Sequence, residues 1–301
     1  MKAASHTLRT LAMPLCMVVG AIFCREIAWM DSVTHGLITP VFIFAMLFFT
    51  YCRVNIHQMR LSWMHVWLLL FQIIASLAVY FMLAQWNVVV AQGAMICILT
   101  PVAMAAVVIG GMLGANIETM AAYSLLCNVL IACIAPLYLY HFGNGECTTI
   151  QILQRVALLL IAPFVVGQLC RLLLPKVAGW VGKYSQISFY IWLLSLIVII
   201  GRTTCFLLDY KADKNIEVAL ALVALVICLL QFKVGRAIGR SYGDAAAGGQ
   251  SLGQKNTILA VWLSQSFLDP IACIAPAAYI VWQNLVNSFQ IYRKGEANHK
   301  H

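Results

Sequence analysis

The stretch Gly243-Asp-Ala-Ala-Ala-Gly248-Gly249-Gln-Ser-Leu-Gly253-Gln-Lys255-Asn256 opens an otherwise apolar segment that runs on to Phe267. Clustered glycine weakens a helix, and backbone groups left unpaired at membrane depth survive only where they are buried in protein or line a cavity. Lys255 falls roughly midway along the segment, too far from either end to reach the interface, and a central lysine costs about 2.5–3.5 kcal/mol on the insertion scale. Such a charge must be paired, solvated or useful. The pattern predicts a broken helix carrying a polar site, with Gln250, Ser251, Gln254 and Asn256 beside the lysine.

That reading requires a membrane around the segment, and the composition supplies it. Of 301 residues, 63% are apolar and 10% charged, and the mean hydropathy is +0.90. A soluble protein averages about 45–50% apolar and about 25% charged, so a soluble enzyme domain, a disordered chain and a small disulfide scaffold are excluded. Apolar segments lie near Leu11–Cys24, Leu37–Tyr51, Trp63–Ala84, Val88–Leu113, Met120–Tyr140, Ile152–Leu174, Ile187–Leu208, Val218–Phe232, Ala245–Phe267 and Ile271–Ile291. They predict an all-α membrane protein of ten transmembrane helices. The beginning MKAASHTLR lacks a small-residue cleavage site and is read as leading into the first span instead of a signal peptide.

The net charge of +9 is scattered over connections, which argues against a nucleic-acid partner. Lys2 and Arg9, Arg53 and Arg60, Arg171, Lys176 and Lys183, Lys233, Arg236 and Arg240, and Arg293, Lys294 and Lys300 fall in alternate connections, while Asp31, Glu146, Asp269 and the mixed stretch Asp209 to Glu217 fall in the others. By the positive-inside rule both termini are cytoplasmic, in the cell's inner (plasma) membrane. The eleven cysteines sit mostly within apolar runs and are read as small hydrophobes, since no spacing suits zinc.

The hexapeptide Ile131-Ala-Cys-Ile-Ala-Pro136 recurs at Ile271-Ala-Cys-Ile-Ala-Pro276, either as the trace of a duplication or as a coincidence of an apolar alphabet. Other punctuation repeats too: Pro14 against Pro163, and a fourth segment interrupted by Pro101, Gly110 and Gly111 against the glycine-rich ninth. The chain therefore divides into a first five-helix repeat over 1–150 and a second over 151–301. Five being odd, the second enters the membrane from the opposite side, and interrupted segments at matching places in two inverted halves point to a secondary transporter's binding site. The breaks are expected near Pro101–Ala106 and Gly249–Gln254, with Gln72 and Asn128 near their crossing and Asn284 as a further intramembrane amide. The competing reading is that the glycines only allow close helix packing.

At these residues the sequence resembles the bile acid:sodium symporter family. The carriers are Tyr242-Gly-Asp-Ala through Ser251-Leu-Gly-Gln-Lys-Asn256, similar to that family's Glu-Val-Gly-Met-Gln-Asn motif; Val281-Trp-Gln-Asn284 after Pro276; Pro163-Phe-Val-Val-Gly167; and Gln72. The resemblance implies inverted five-helix repeats, a panel domain of helices 1, 2, 6 and 7, and a core domain of helices 3–5 and 8–10 with two crossing broken helices. It also implies two sodium sites, which this chain departs from. Ala106, Val107, Asn128 and Ser251 stand where one site looks to be built, and Ser251 and Lys255 replace two of the three ligands of the other, leaving Gln72. An ammonium and fewer anionic oxygens disfavour a hard cation, so no cofactor is expected and sodium is doubted.

The expected activity is alternating-access transport of a small organic anion, with Lys255, Asn256, Gln254, Ser251, Gln72, Asn128 and Asn284 at the site. Lys255 either substitutes for the ion, titrates during the cycle, or salt-bridges a carboxylate such as Asp244 or Glu118 beside an intact sodium site. Two alternatives stand against transport of this kind. An arsenite exporter would present a cysteine after the proline, where Val102 follows Pro101, and an intramembrane enzyme would need a catalytic constellation. G-x-x-x-x-G-K-[ST], H-E-x-x-H and G-x-S-x-G are all missing, and His35, His57, His65 and His141 read as interfacial.

Overall fold

The structure, a computed structural model, describes residues 15–52, 61–103, 105–143, 145, 148–183, 186–209 and 213–299. Lys2, Arg9, Pro14, Arg53, His57, Arg60, Glu146 and Lys300 lie outside the described residues. After a helical stretch over 15–22 come α1 (Cys24–Val33), α2 (Ile38–Tyr51), α3 (Trp63–Ala84), α4 (Val88–Leu99), α5 (Ala105–Met112), α6 (Ile117–Phe142) and α7 (Thr149–Leu160). They are followed by α8 (Ala162–Leu173), α9 (Pro175–Lys183), α10 (Gln186–Asp209), α11 (Lys214–Ser241), α12 (Ala245–Gly253), α13 (Thr257–Phe267), a 3-10 turn at Pro270–Cys273, and α14 (Ile274–His299). No strand occurs among the described residues.

Trp63–Ala84, Ile117–Phe142, Ile150–Leu173 and Lys214–Ser241 are each long and apolar enough to cross a membrane, and Cys24–Val33 with Ile38–Phe49 makes a fifth if that pair, bent by 87°, is one span. The packing points the same way. On α3 the buried positions include His65, Gln72 and Ser76, while Trp63, Trp67, Leu70, Ile74, Phe81 and Met82 are exposed. Polar-in, apolar-out is the reverse of a helix on a soluble protein, and a helix that hides its hydrogen-bonding groups from an apolar surrounding must arrange itself so. This is the makeup of an all-α membrane protein.

Two compact units form, one from Met1–Val54 and Ala157–Asp213, the other from Asn55–Val156 and Lys214–His301, so each draws on both halves of the chain. In the first unit α10 packs on α1 and α2, and α2 packs on α8. Gly167 lets α8 approach the end of α2: a Cβ there would stand 2.9 Å from the Tyr51 Cβ and 3.2 Å from the Cys52 nitrogen. Asp31 lies inside α1, not in a connection, and accepts from Arg202 Nε at 3.0 Å. In the second unit α11 packs against α12, α14 and α4.

Two expectations change here. The residues after the sixth segment form a helix, α9, instead of a plain connection. The hexapeptide copies occupy unlike places, Ile131–Pro136 in the second half of α6 and Ile271–Pro276 across the 3-10 turn and first turn of α14. His141 sits in the last turn of α6 and His65 in the first turn of α3, so both lie at helix ends, and His65 is 1% exposed with its Nδ1 accepting from the Ser62 amide in a capping box.

Candidate functional site

Two interrupted segments meet in the second unit. The first is α4–α5. Asn87 caps α4, its Oδ1 accepting from the Val90 amide at 3.0 Å, and the helix runs to Leu99. Pro101 then ends it, because proline has no N–H to give the carbonyl four residues back. The second is α12–α13: Asp244 caps α12, with Oδ1 accepting from the Ala247 amide at 2.7 Å, and Asn256 caps α13, with Oδ1 accepting from the Leu259 amide at 3.3 Å. The two interruptions cross as a short antiparallel bridge between Val102 and Lys255. The Ala103 amide donates to the Gln254 carbonyl at 2.8 Å, and the Asn256 amide donates to the Pro101 carbonyl at 2.9 Å.

The fourth segment opens where expected, between Leu99 and Ala105, while the ninth opens later than expected. Ala105 and Ala106 already belong to α5, and Gly249 to Gly253 are helical, so the ninth segment opens at Gln254–Asn256. A capping asparagine starts a new helix there and sets the interruption. The glycines serve packing instead: a Cβ on Gly248 would collide with the Gly235 carbonyl and approach the Gly239 Cα at 2.7 Å. Close approach of α11 and α12 accounts for them.

A helix end leaves carbonyls without partners, and at this crossing side chains from three other helices and the second interruption supply them. Thr100 satisfies Ile96 through its amide at 3.0 Å and its hydroxyl at 2.6 Å. The Cys97 carbonyl, orphaned by Pro101, accepts from Gln231 Nε2 on α11 at 3.2 Å. The Ile98 carbonyl accepts from Lys255 Nζ at 2.8 Å. Gln72 Nε2 on α3 donates to Leu99 at 2.6 Å and Thr100 at 3.0 Å, while its Oε1 accepts from the hydroxyl of Tyr123 on α6 at 3.1 Å. At the end of α12, Tyr279 of α14 donates to the Gly253 carbonyl at 2.8 Å, and its hydroxyl oxygen accepts from Gln231 Nε2 at 3.0 Å. Gln283 Oε1, also on α14, accepts from the Lys255 amide at 3.0 Å.

Lys255 is 1% exposed. Its partner is a carbonyl, and the salt bridge to Asp244 or Glu118 does not form: Asp244 instead joins two helix starts, Oδ2 accepting from the Asn116 amide at 2.7 Å. Two ion pairs, Arg25–Asp209 and Arg202–Asp31, lie in the first unit. No grouping of His, Cys, Asp and Glu suited to a metal occurs among the described residues.

The other expected residues divide into those at the crossing and those set apart from it. Gln254 and Asn256 form the interruption itself, and Gln254 Oε1 accepts from Asn287 Nδ2 at 2.6 Å. Ser251 and Asn128 are buried, and Asn128 Nδ2 donates to the Ser124 carbonyl at 2.7 Å, tying it to its own helix. Asn284 is only half-buried and bonds its own helix at the Ile280 carbonyl, 2.8 Å. Its neighbour Gln283 takes the position at the break, with Asn287 one turn further along the same face. Sequence reasoning missed Gln283, Asn287, Gln231, Tyr123 and Tyr279. The spacing 283–287 was the available signal, since it puts two amides on one stripe of α14.

No protein-family model matches this chain, and no curated protein matches it.

Proposed function

We propose that this chain is a secondary transporter that moves a small organic anion by alternating access, of the type found in the bile acid:sodium symporter family. The observation that carries the reading is the crossing of two interrupted helices through the Val102–Lys255 bridge, with both helix ends satisfied by side chains of neighbouring helices. Discontinuous helices of this kind form substrate and ion sites in transporters, the half-helix N-termini favouring an anionic group. Asn256 and the start of α13 offer one such N-terminus. The division into two units, each assembled from both halves of the chain, agrees with a panel domain and a core domain. Ten spans, inverted repeats and cytoplasmic termini in the inner membrane belong to the same proposal.

Uptake into proteoliposomes tests it. The purified full chain should accumulate at least one member of a set of radiolabelled carboxylates and sulfonates above protein-free vesicles, and excess unlabelled compound should compete. Hydrolysis of these compounds without accumulation, or accumulation of none of them, would overturn the reading. Reporter fusions should place Glu146 outside and His301 in the cytoplasm.

A further inference from the structure

In secondary transporters, unwound carbonyls and half-helix C-termini coordinate the coupling cation. This chain has two such C-termini at one crossing, the end of α4 at Leu99 and the end of α12 at Gly253. Each carries roughly half a negative charge from its aligned peptides. We propose that the Lys255 ammonium is a built-in substitute for that cation, so that the two interrupted helices hold their crossing without sodium. The inference rests on the transporter reading and specifies its coupling.

Four observations carry it. The ammonium donates to Ile98, inside the run of carbonyls that α4 leaves open. The flanking carbonyls are already taken, Cys97 by Gln231 and both Leu99 and Thr100 by Gln72, and Gly253 by Tyr279. A sodium ion entering here would compete with a tethered donor at each. The side chains hydrogen-bonded at the crossing are Gln72, Gln231, Tyr279 and Gln283, with Cys97 and Cys127 beside the lysine, and neither carboxylate ion pair, Arg25–Asp209 or Arg202–Asp31, involves Lys255. The compensating negative charge is therefore that of the helix ends, and a mobile cation beside a fixed one would meet repulsion with nothing to offset it. Finally, the lysine is placed by the backbone on both sides: its amide is held by Gln283, and Val102 bridges it. The side chain is aimed at α4, where an unpaired surface lysine would turn outward.

The test uses the full chain in detergent, with thermal unfolding read in sodium chloride, choline chloride and ethylammonium chloride at equal ionic strength. The wild type should show midpoints within about 1 °C across the three salts. Lys255→Met, which keeps the bulk and removes the charge and donors, should unfold about 3–8 °C lower, from one carbonyl left without its partner. Lys255→Ala should recover part of its loss in ethylammonium but not in choline, because a small amine can enter the space and donate to Ile98. A wild-type midpoint several degrees higher in sodium than in choline, or a Lys255→Met midpoint equal to the wild type, would overturn the proposal. Should neither variant fold, binding of radioactive sodium to the wild type decides: absence supports the proposal and saturable binding overturns it. Sodium-driven anion uptake would sink this inference and leave the transporter reading intact, whereas the expected salt pattern without any anion uptake would sink the transporter reading alone.

Discussion

Replacing Gly248 by alanine should destabilise the protein although alanine is the better helix former. Gly248 faces Gly235 and Gly239 across the α11–α12 contact, and its added Cβ would meet the Gly235 carbonyl, the Gly239 Cα at 2.7 Å and the Gly239 nitrogen at 2.8 Å. All three are backbone atoms of one helix, so no side chain can swing away and the helices must part. Overpacking of this kind costs about 1–3 kcal/mol, and the gain in helix propensity returns about 1 kcal/mol. Separation also strains the Gly253–Gln254 end, whose bonds to Tyr279 and Ala103 depend on where α12 stops. The clash less the propensity gain leaves up to about 2 kcal/mol, to which the strained end adds, corresponding to a fall in Tm of up to about 8 °C. Gly179→Ala is the control: nothing lies within 4 Å of a Cβ there, the residue is inside α9, and the same propensity gain should raise Tm by about 2–4 °C. Thermal unfolding of the detergent-purified chain measures both. A Gly248→Ala protein as stable as the wild type, or a Gly179→Ala protein that loses as much, would refute the packing account of the glycines.

Gln72→Leu should cost about 1–3 kcal/mol, since the Leu99 and Thr100 carbonyls lose their donor within a buried site; urea or thermal unfolding would register it, and an unchanged protein would mean the carbonyls find other partners. Asp244→Ala removes the acceptor of both the Ala247 and Asn116 amides and should lower stability by about 0.5–2 kcal/mol, with Asp244→Asn recovering most of the loss. In the first unit Arg202→Met should destabilise more than the double variant with Asp31→Leu, because the single change leaves a carboxylate buried without its partner. A double variant that loses the sum of the two single losses would show the pair to be uncoupled.

The helical, apolar character of the chain and the existence of two interruptions were legible in the sequence, for local reasons. Pro101 ends α4 wherever it is placed, since it lacks an N–H, and an asparagine before Thr257 starts a helix by its own side chain. The glycines misled in placement: Gly248 and Gly249 read as a break but are helical, because what they accommodate is α11, a helix that a local pattern does not contain. Lys255 declared itself as a costly charge, and its cost predicted a partner without naming it. Which partner it takes is a tertiary fact. The Ile98 carbonyl, Gln72, Gln231, Tyr279 and Gln283 come from segments far apart in the chain, and only the crossing brings them to one place. The choice of Gln283 over Asn284 shows the limit most plainly: the two are adjacent in sequence and equally able to hydrogen-bond, but successive helix positions are about 100° apart in direction. The rotation of α14 against α12 and α13 decides which one meets the break, and that rotation is set by packing along the whole helix.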